Sequence, residues 1–573
     1  MKIDIIKVPF SMRGSYLAIS WLPKNFGGQT NQEGLFLRTI HGLTYLPNST
    51  MLNSPAFCAQ IIPVWNEEEV EYTVCAEEDE IRILTGKGEI HICFADPDTL
   101  LINGEGKGIG LHLRLIDGNY AYEVQGNTQK NVLMNCGRNS RRFLVRKNIG
   151  EIDLVAEKDG EYAGTVSLCP DTEGKFLFGI EDIQEEWDQN DRNYCYEESR
   201  RESHSEFEGF LRTVPDVPEK YGDARRLAAY INWSGIVKKS GILTREAMLM
   251  AKNWMCNVWS WDHCFNAMAL AYRNPSMAWD QFMLLFDYQG KTGRIPDCVN
   301  DVYAIWNFCK PPIHGWALSR MRRWMDLTQQ QYEEVYSRLE KWTNWWLTYR
   351  DGDRDGICEY HHGNDAGWDN STVFRANPVM ELPDLATFLI LQMDELKSIA
   401  EKLGKKEEAL EWSQKADRMF NAMIKHCFDG VRPRALVSHS HEEVKSDSLI
   451  LFIPVLLGKK LPEEIRSYLV KELKSKRFLT EHGLATEALE SPFYVADGYW
   501  RGPIWAPSSL LLIDGLRTCG EREYSRELAR RFCDMAVKSG FAENFDAVTG
   551  EGLRDKAYTW TSSVFLILAH EYI

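Results

Sequence analysis

Two loop segments of the sequence carry carboxylates in surroundings that suit acid–base chemistry. The first, HHGNDAGWDNSTVF (361–374), holds two imidazoles and two carboxylates in a stretch too rich in glycine to form core. Within it Asp369 follows Trp368, and burial beside an indole raises a carboxyl pKa toward the range of a general acid. The second, SGFAENFDAVTGEG (539–552), places Glu543 after a predicted helix. A carboxylate is unfavourable at a helix C-terminus, so a Glu543 that stands there is expected to have another role.

Either carboxyl group could take part in acid–base catalysis, but the residues alone do not pair Asp369 with Glu543. Each segment taken alone is more typical of a solvated turn than of a site. A perturbed carboxyl pKa would not decide the matter, because structural ion pairs also shift carboxyl pKa values.

Two further segments set a charged residue among tryptophans. They are NVWSWDHCFNA (257–267), with Trp259, Trp261 and Asp262, and GYWRGPIWAPSS (498–509), with Trp500, Arg501 and Trp505. Aromatic faces can stack on the apolar faces of sugar rings, but tryptophan is also highly buried in ordinary cores. A buried Asp or Arg can likewise be half of a structural ion pair. Composition alone favours core packing for these residues.

The bulk composition narrows the class of protein and of partner. A chain of 573 residues predicts two to four domains. The net charge of −17 disfavours nucleic acid and anionic membrane surfaces, and leaves a small neutral substrate as the simpler partner. The N-terminal sequence does not resemble a secretory signal, no segment is apolar enough to span a bilayer, and the 14 cysteines include no C-x-x-C pair. These features predict a cytoplasmic protein with reduced thiols.

The periodicity of apolar residues changes along the chain. Residues 1–183 alternate in short β-branched and aromatic runs broken by turns, which predicts an antiparallel β-sandwich. Residues 184–220 are polar and end in prolines, as in a linker or connecting helix. Residues 221–573 have the period of paired amphipathic helices. Since they show no repeat of fixed length, a closed (α/α)6 barrel is favoured over a helical solenoid. The β-domain could shape the pocket rim, support the barrel or mediate a homo-oligomer.

The four segments together resemble glycoside hydrolase family 63, its mannosylglycerate hydrolase-like members and, more distantly, the family 37 trehalases. The matching motifs stand here as WSWD (259–262), GWDNS (367–371), YWRGPIW (499–505) and ENFDAVTG (543–550). The resemblance covers roughly residues 220–573 and implies the (α/α)6 barrel.

The resemblance also implies roles for individual residues. Asp369 would be the general acid and Glu543 the general base of an inverting hydrolase. Asp262 and Arg501 would hold sugar hydroxyls. The walls of the subsite would be Trp259, Trp261, Trp368, Trp500 and Trp505. The expected reaction releases a sugar from an α-glycosidic bond, preferably α-glucosidic, in a small carbohydrate, and no cofactor takes part in the chemistry.

Some residues depart from the family pattern. Relatives often carry an apolar residue such as Met in place of Trp368 and Pro in place of Thr372. The HHGND run lies outside the pattern, so His362 and Asp365 are expected on the leaving-group side, and Glu551 is a second-rank candidate. Two other readings remain: a barrel that binds carbohydrate without turnover, and a sugar epimerase or phosphorylase. Glu543 opposes the second, because an epimerase would use histidine and a phosphorylase an anion pocket.

One acidic run has the spacing of half a calcium loop. DGDRDGICE (351–359) satisfies D-x-D-x-D-G with Asp351, Asp353 and Asp355. The twelfth position is His362 rather than a bidentate glutamate. The run therefore predicts either a structural Ca²⁺ site or a plain acidic turn, and the mismatch favours the turn.

Overall fold

The computed structural model describes residues 1–24, 32–41, 56–116, 118–136, 141–156, 163–190 and 192–573. The chain forms two compact units. The first comprises Met1–Arg212, Ala229–Cys256 and Asn300–Val302, and the second comprises Thr213–Ala228, Asn257–Val299 and Tyr303–Ile573.

The first unit contains an antiparallel β-structure. Its strands, within the described ranges, are β1 (Lys2–Ile3), β2 (Leu17–Leu22), β3 (Gly34–Thr39), β4 (Ala56–Trp65), β5 (Glu68–Glu69), β6 (Tyr72–Glu77), β7 (Ile81–Thr85), β8 (Glu89–Asp96), β9 (Thr99–Glu105), β10 (Ile109–Leu115), β11 (Asn119–Gln125), β12 (Lys130–Cys136), β13 (Arg141–Ile149), β14 (Glu151–Ala156), β15 (Ala163–Cys169) and β16 (Lys175–Ile183). Their main order is β1-β6-β7-β8-β9-β16-β13-β12-β11-β15-β10-β4-β3-β2, with β14 beside β15 and β5 beside β4.

Strand β8 illustrates how the sequence pattern fixes burial in this unit. Ile90 and Ile92 are both fully buried on one face, as the alternation of apolar residues predicts. Cys93 points to the other face, where Tyr196 packs on it. Tyr196 begins helix α1 (Tyr196–Leu211), which lies within the segment predicted as linker or connecting helix.

The second unit consists mainly of helices. The remaining helices are α2 (Gly222–Gly235), α3 (Asp262–Leu270), α4 (Pro275–Met283), α5 (His314–Met321), α6 (Gln329–Tyr349), α7 (Pro383–Lys402), α8 (Lys406–His426), α9 (Glu463–Leu473), α10 (Ala506–Thr518), α11 (Arg522–Lys538) and α12 (Thr559–Glu571). Of α2, only residues 222–228 belong to this unit. Five 3₁₀ segments span Glu219–Tyr221, Leu284–Tyr288, Gly363–Ala366, Thr372–Phe374 and Leu449–Lys460 in the part of the chain that the structure describes.

The inner ring closes on itself. Helices α3, α5 and α7, the segment Leu449–Lys460, and helices α10 and α12 contact one another in that order, and α12 contacts α3. All nine residues of α3 are buried. Outer helices such as α8 and α11 bury one stripe only, which is the pattern of an amphipathic surface helix. The predicted combination of β-sandwich and (α/α)6 barrel is confirmed. None of the described helices has both the length and the apolar character needed to cross a bilayer.

Short strands stiffen the connections between helices. They are β17 (Ile236–Val237), β18 (Ala247–Met248), β19 (Val258–Trp259), β20 (Cys298–Val299), β21 (Ala304–Ile305), β22 (Glu359–Tyr360), β23 (Met380–Glu381), β24 (Phe428–Asp429), β25 (Arg432–Pro433), β26 (Ala435–Val437), β27 (Glu443–Val444), β28 (Ile504–Trp505), β29 (Asn544–Phe545) and β30 (Gly552–Leu553). Three of the small sheets, β19-β20-β21, β22-β23-β26-β27 and β28-β29-β30, carry the loops singled out in the sequence.

Candidate active site

The loop that carries Asp369 depends on two glycines. Gly367 has a left-handed φ of 69°, and a Cβ there would lie 2.6 Å from the Trp261 ring. A Cβ on Gly363 would lie 2.2 Å from the backbone oxygen of Asp369. No larger residue fits either place without displacing the loop. Trp368 is buried, whereas the Asp369 side chain next to it is 30% exposed.

The loop 361–374 is attached to the segment that carries Arg501. Trp368 packs on Trp500 with ring centroids 4.7 Å apart. The side chain of Asn370 accepts a hydrogen bond from the Trp500 backbone N–H (2.9 Å) and donates one to the Gly498 carbonyl (3.0 Å). Two of the predicted motifs therefore meet through an aromatic contact and a pair of hydrogen bonds.

Glu543 lies at the start of a strand rather than at a helix end. Helix α11 ends at Lys538, so the helix-dipole argument does not apply, and the Glu543 N–H donates to the Asp555 carbonyl (2.9 Å) beside β29. The side chain is buried. Its pKa is raised from 4.5 to about 8, mainly by burial and also by the charges of Asp555 and Asp369, while Arg554 opposes the shift. The two predicted catalytic carboxylates are thus electrostatically coupled.

A buried lysine stands among several carboxylates. Lys310 Nζ lies 3.7 Å from Asp369 Oδ1 and 3.5 Å from Asp297 Oδ1, and it donates to the Asn364 carbonyl at 2.8 Å. Burial alone would lower the lysine pKa, but the charges of Asp297, Asp369 and Asp262 hold it above its usual value. Burial also raises the pKa of Asp262 well above its ordinary range, with Lys310 opposing the shift.

The predicted tryptophan walls are mostly buried behind the site. Trp500 and Trp505 stack face to face at 4.0 Å, and Trp261 lies 6.2 Å from Trp500. With Trp368, these rings are at most 2% exposed, so they support the site more than they offer free faces to a ligand. Trp259, in β19, is half-buried.

Four residues near the predicted pair were not anticipated from the sequence: Lys310, Asp297, Tyr499 and Tyr558. Burial raises the pKa of both tyrosines, and the charge of Glu543 is the next cause for each. Tyr499 has a left-handed φ of 63°, which is strained for a bulky residue and marks it as a constrained position. The motif YWRGPIW contains Tyr499 and could have indicated it as a site residue. No sequence pattern indicates Lys310.

A cavity of about 340 Å³ opens beside Asp369. Its lining residues are His362, Gly363, Asp369, Asn370, Ser371, Thr372, Phe374, Arg375, Pro378, Phe493 and Arg501. Glu543, although it belongs to the described residues, does not line this cavity. Arg501 Nε is buried and has no hydrogen-bond partner among the described residues.

Of the predicted site residues, His362, Asp369 and Arg501 line this cavity, whereas Asp365 and Glu551 have different surroundings. Asp365 is 1% exposed; its Oδ2 accepts from Arg350 (2.8 Å) and the His361 N–H (3.0 Å), and its Oδ1 from the Cys309 N–H (3.0 Å). Because both oxygens are occupied, Asp365 anchors the loop instead of facing the leaving group. Glu551 is exposed and lines a separate cavity that also contains His482 and Arg531.

The acidic run is brought together as a group. Ligand-type oxygens of Asp351, Asp353 and Asp355 lie within 4.8 Å of one another. His362, the twelfth position of the calcium-loop pattern, instead lines the cavity beside Asp369 and stacks on Phe308 at 4.8 Å.

Two proteins of known function are each similar to more than half of this chain. The mannosylglycerate hydrolase from Rubrobacter radiotolerans is 22% identical over 401 residues, which span 54% of this chain and 89% of that protein. The glucosylglycerate hydrolase from Mycolicibacterium hassiacum is 23% identical over 424 residues, or 57% of this chain and 94% of that protein.

Solved structures share the fold at low identity. A bacterial glucoamylase complexed with acarbose is 10% identical, with a TM-score of 0.62 over 98% of this chain and 93% of its own. The mannosylglycerate hydrolase from Thermus thermophilus, in complex with Tris and D-glycerate, is 18% identical, with a TM-score of 0.51 over 59% of this chain and 98% of its own. The profile of the mannosylglycerate hydrolase MGH1-like glycoside hydrolase domain matches residues 255–561. The resemblance seen in the four motifs is confirmed, and the chain belongs to the MGH1-like glycoside hydrolase family.

Proposed function

We propose that this glycoside hydrolase cleaves an α-glycosidic bond of a small carbohydrate with inversion, using Asp369 as general acid and Glu543 as general base. The observation that carries the proposal is the unequal, coupled pair. Asp369 borders an open cavity, whereas Glu543 is enclosed, and the charge of Asp369 is felt at Glu543. Inverting hydrolysis needs one carboxyl at the leaving group and another at a confined water.

The open cavity suits the leaving group. It is lined by Asp369 and by Arg375, whose guanidinium group can hold hydroxyl or carboxylate oxygens of the leaving group. Asp369 Oδ1 faces Lys310, so we assign Oδ2 to the glycosidic oxygen. As the C1–O bond breaks, Asp369 gives that oxygen its proton and the leaving group departs as an alcohol.

The enclosed side suits the water. A carboxylate with a pKa near 8 removes a proton from water more readily than one at 4.5, although only about a tenth of it is ionised at pH 7. Glu543 takes the proton while the oxygen attacks C1 from the opposite face, and Asp262 and Arg501 hold sugar hydroxyls. No cofactor enters these steps.

The reverse assignment of acid and base also has a physical basis, because the carboxyl with the raised pKa is the better proton donor at pH 7. An α-glucosyl fluoride separates the two, since fluoride leaves with little protonation. Under our assignment, Asp369→Asn retains much of its activity on the fluoride and loses it on a natural glycoside, whereas Glu543→Gln loses both. The opposite pattern would exchange the roles, and unchanged turnover in both variants would refute the catalytic pair.

The proposed sugar is α-glucose. A panel of trehalose, kojibiose, nigerose, glucosylglycerate and mannosylglycerate tests it, because relatives named for both glycerate glycosides match this chain. Proton NMR of the first product formed should show the β-anomer. A first-formed α-anomer would contradict inversion, a strict need for phosphate would indicate a phosphorylase, and an isomerised sugar an epimerase. Binding without turnover would indicate a carbohydrate-binding barrel.

A further inference from the structure

A second group of ionisable side chains lies around the sheet β22-β23-β26-β27 in the helical unit. It draws on the loop before β22, on β23, on the last turn of α8 and on the β26–β27 loop. Its members are Asp353, Asp355, Glu359, His361, Glu381, His426 and His441. The proposed hydrolysis uses none of them.

Two buried carboxylates face one another across this sheet. Glu359 in β22 and Glu381 in β23 are direct antiparallel partners, and they are 5% and 0% exposed. Like charges directly opposite on one face of a sheet repel each other. Glu359 Oε1 is paired with His361 Nε2 at 3.0 Å. Glu381 Oε1, however, has no hydrogen-bond partner among the described residues. An additional positive charge near this buried carboxylate would therefore stabilise it.

The acidic loop presents its free oxygens to imidazoles. The Oδ1 atoms of Asp353 and Asp355 accept backbone N–H groups, at 3.3 Å from Asp355 and 2.8 Å from Ile357. Their Oδ2 atoms therefore turn away from the loop. Asp353 Oδ2 lies 2.8 Å from His441 Nε2, and Asp355 Oδ2 lies 3.5 Å from His426 Nε2.

Four ligand atoms converge on one point. His426 Nε2 lies 2.6 Å from Glu381 Oε2, and His441 Nε2 lies 3.9 Å from the same oxygen and 3.8 Å from Asp355 Oδ2. One ligand atom from each of Asp355, Glu381, His426 and His441 falls within 4.8 Å of the others. A tetrahedral ion with bonds of about 2.0–2.2 Å spaces its ligands about 3.3–3.6 Å apart, which lies inside the observed range.

We propose that Asp355, Glu381, His426 and His441 bind one divalent transition-metal ion of the zinc class. Two imidazole nitrogens with two carboxylate oxygens are the ligand set of Zn²⁺ and its neighbours, whereas Ca²⁺ takes six to eight oxygens. The calcium prediction considered only oxygen ligands of the 351–362 run. The structure adds two nitrogens from segments far along the chain. The ion would join four separate segments and neutralise the buried Glu381.

Zinc titration tests the proposal without measuring catalysis. The full chain is treated with EDTA, dialysed into chelator-free buffer and titrated with ZnCl₂ or CaCl₂ in a calorimeter. We expect one Zn²⁺ per chain, a higher unfolding temperature in excess zinc, and no comparable effect of calcium. Either of two results would overturn the proposal: binding of neither ion would leave a metal-free ion-pair network, and tighter binding of calcium would indicate a calcium site instead.

Ligand variants locate the ion. His441→Gln and Asp355→Asn alter side chains that are 41% and 22% exposed, so both proteins should fold, as circular dichroism can check. Because outer partners of metal ligands alone are worth 10–100-fold in affinity, each variant should weaken zinc binding by about 100-fold or more. The control is His204→Gln on α1, an exposed imidazole 3.5 Å from Asp79. Equal zinc affinity in wild type, His441→Gln and Asp355→Asn would refute the site.

Discussion

Replacing Glu543 by glutamine should change the pH dependence of stability. In the folded protein, burial raises the Glu543 pKa from 4.5 to about 8, so the native state keeps a proton that the unfolded chain releases above pH 4.5. The stability that this proton contributes is complete below pH 4.5, falls as the pH rises from 4.5 to 8, and is constant above 8. Glutamine cannot ionise and should abolish this slope.

The expected magnitude follows from the two pKa values. Between pH 4.5 and pH 7, the native state loses ~1.4 kcal/mol per pH unit, or roughly 3 kcal/mol in total. An unfolding entropy of ~2.1 cal/mol/K per residue, over roughly 300 residues of barrel, converts this to about 5 °C. As the pH rises from 4.5 to 7, the unfolding temperature of Glu543→Gln should therefore rise by about 5 °C relative to that of the wild type. Glycoside hydrolysis should be lost.

Thermal unfolding followed by near-ultraviolet circular dichroism at pH 4.5, 6, 7 and 8 measures this difference. Comparing the change with pH removes any pH-independent cost of burying the amide. Glu551→Gln is the matched control, because Glu551 lies close by in the sequence but is exposed. Two results would refute the account of Glu543 as a desolvated carboxylate: a difference in unfolding temperature between Glu543→Gln and wild type that does not change with pH, or a Glu551→Gln protein that loses the wild-type pH dependence as Glu543→Gln does.

Three further changes test the surroundings of the pair. Asp555→Asn removes a charge that raises the Glu543 pKa, so the acidic limb of the kcat/KM–pH profile should move to lower pH by about one unit; an unmoved limb would contradict the coupling. Lys310→Met leaves Asp297 as a buried carboxylate without its cation and should cost about 3–5 kcal/mol in urea unfolding, against little change for Lys310→Arg if the larger cation is accommodated. Arg501→Lys keeps the charge but loses the planar fork, so KM should rise more than kcat falls; an unchanged KM would remove Arg501 from the binding site.

The class of each unit could be predicted from the sequence, because apolar residues recur with a different spacing in each unit. Helices such as α8 and α11 bury one stripe, and β8 alternates, so local patterns report the class of each unit. Closure of the inner ring is different: it depends on contacts between segments such as α12 and α3, which no local pattern encodes. The absence of a repeat of fixed length favoured a closed toroid over a solenoid, and the family resemblance implied the same (α/α)6 barrel.

The site was harder to predict from the sequence, because the charges that act on it belong to residues far apart in the chain. The adjacency of Trp368 predicted a partly desolvated Asp369, and in the structure the tryptophan is enclosed while the carboxylate side chain next to it is 30% exposed. Asp365 was placed at the leaving group for its position in a polar loop, and its contacts with Arg350 instead make it an anchor. Neighbouring positions in a loop can face opposite directions, so sequence proximity does not determine exposure.

Lys310 shows why the central charge arrangement could not be predicted. A lysine before two prolines has no distinctive pattern, and its role depends on Asp262, Asp297 and Asp369 arriving from three other segments. Without a buried cation these carboxylates would repel one another in a medium that screens poorly. With the Lys310 cation present, Asp369 can lie at the cavity edge. The pKa of Glu543 is instead set mainly by burial and by the opposing charges of Asp555 and Arg554. The unequal environments of Asp369 and Glu543, which support the proposed roles of acid and base, therefore depend on residues outside the four motifs.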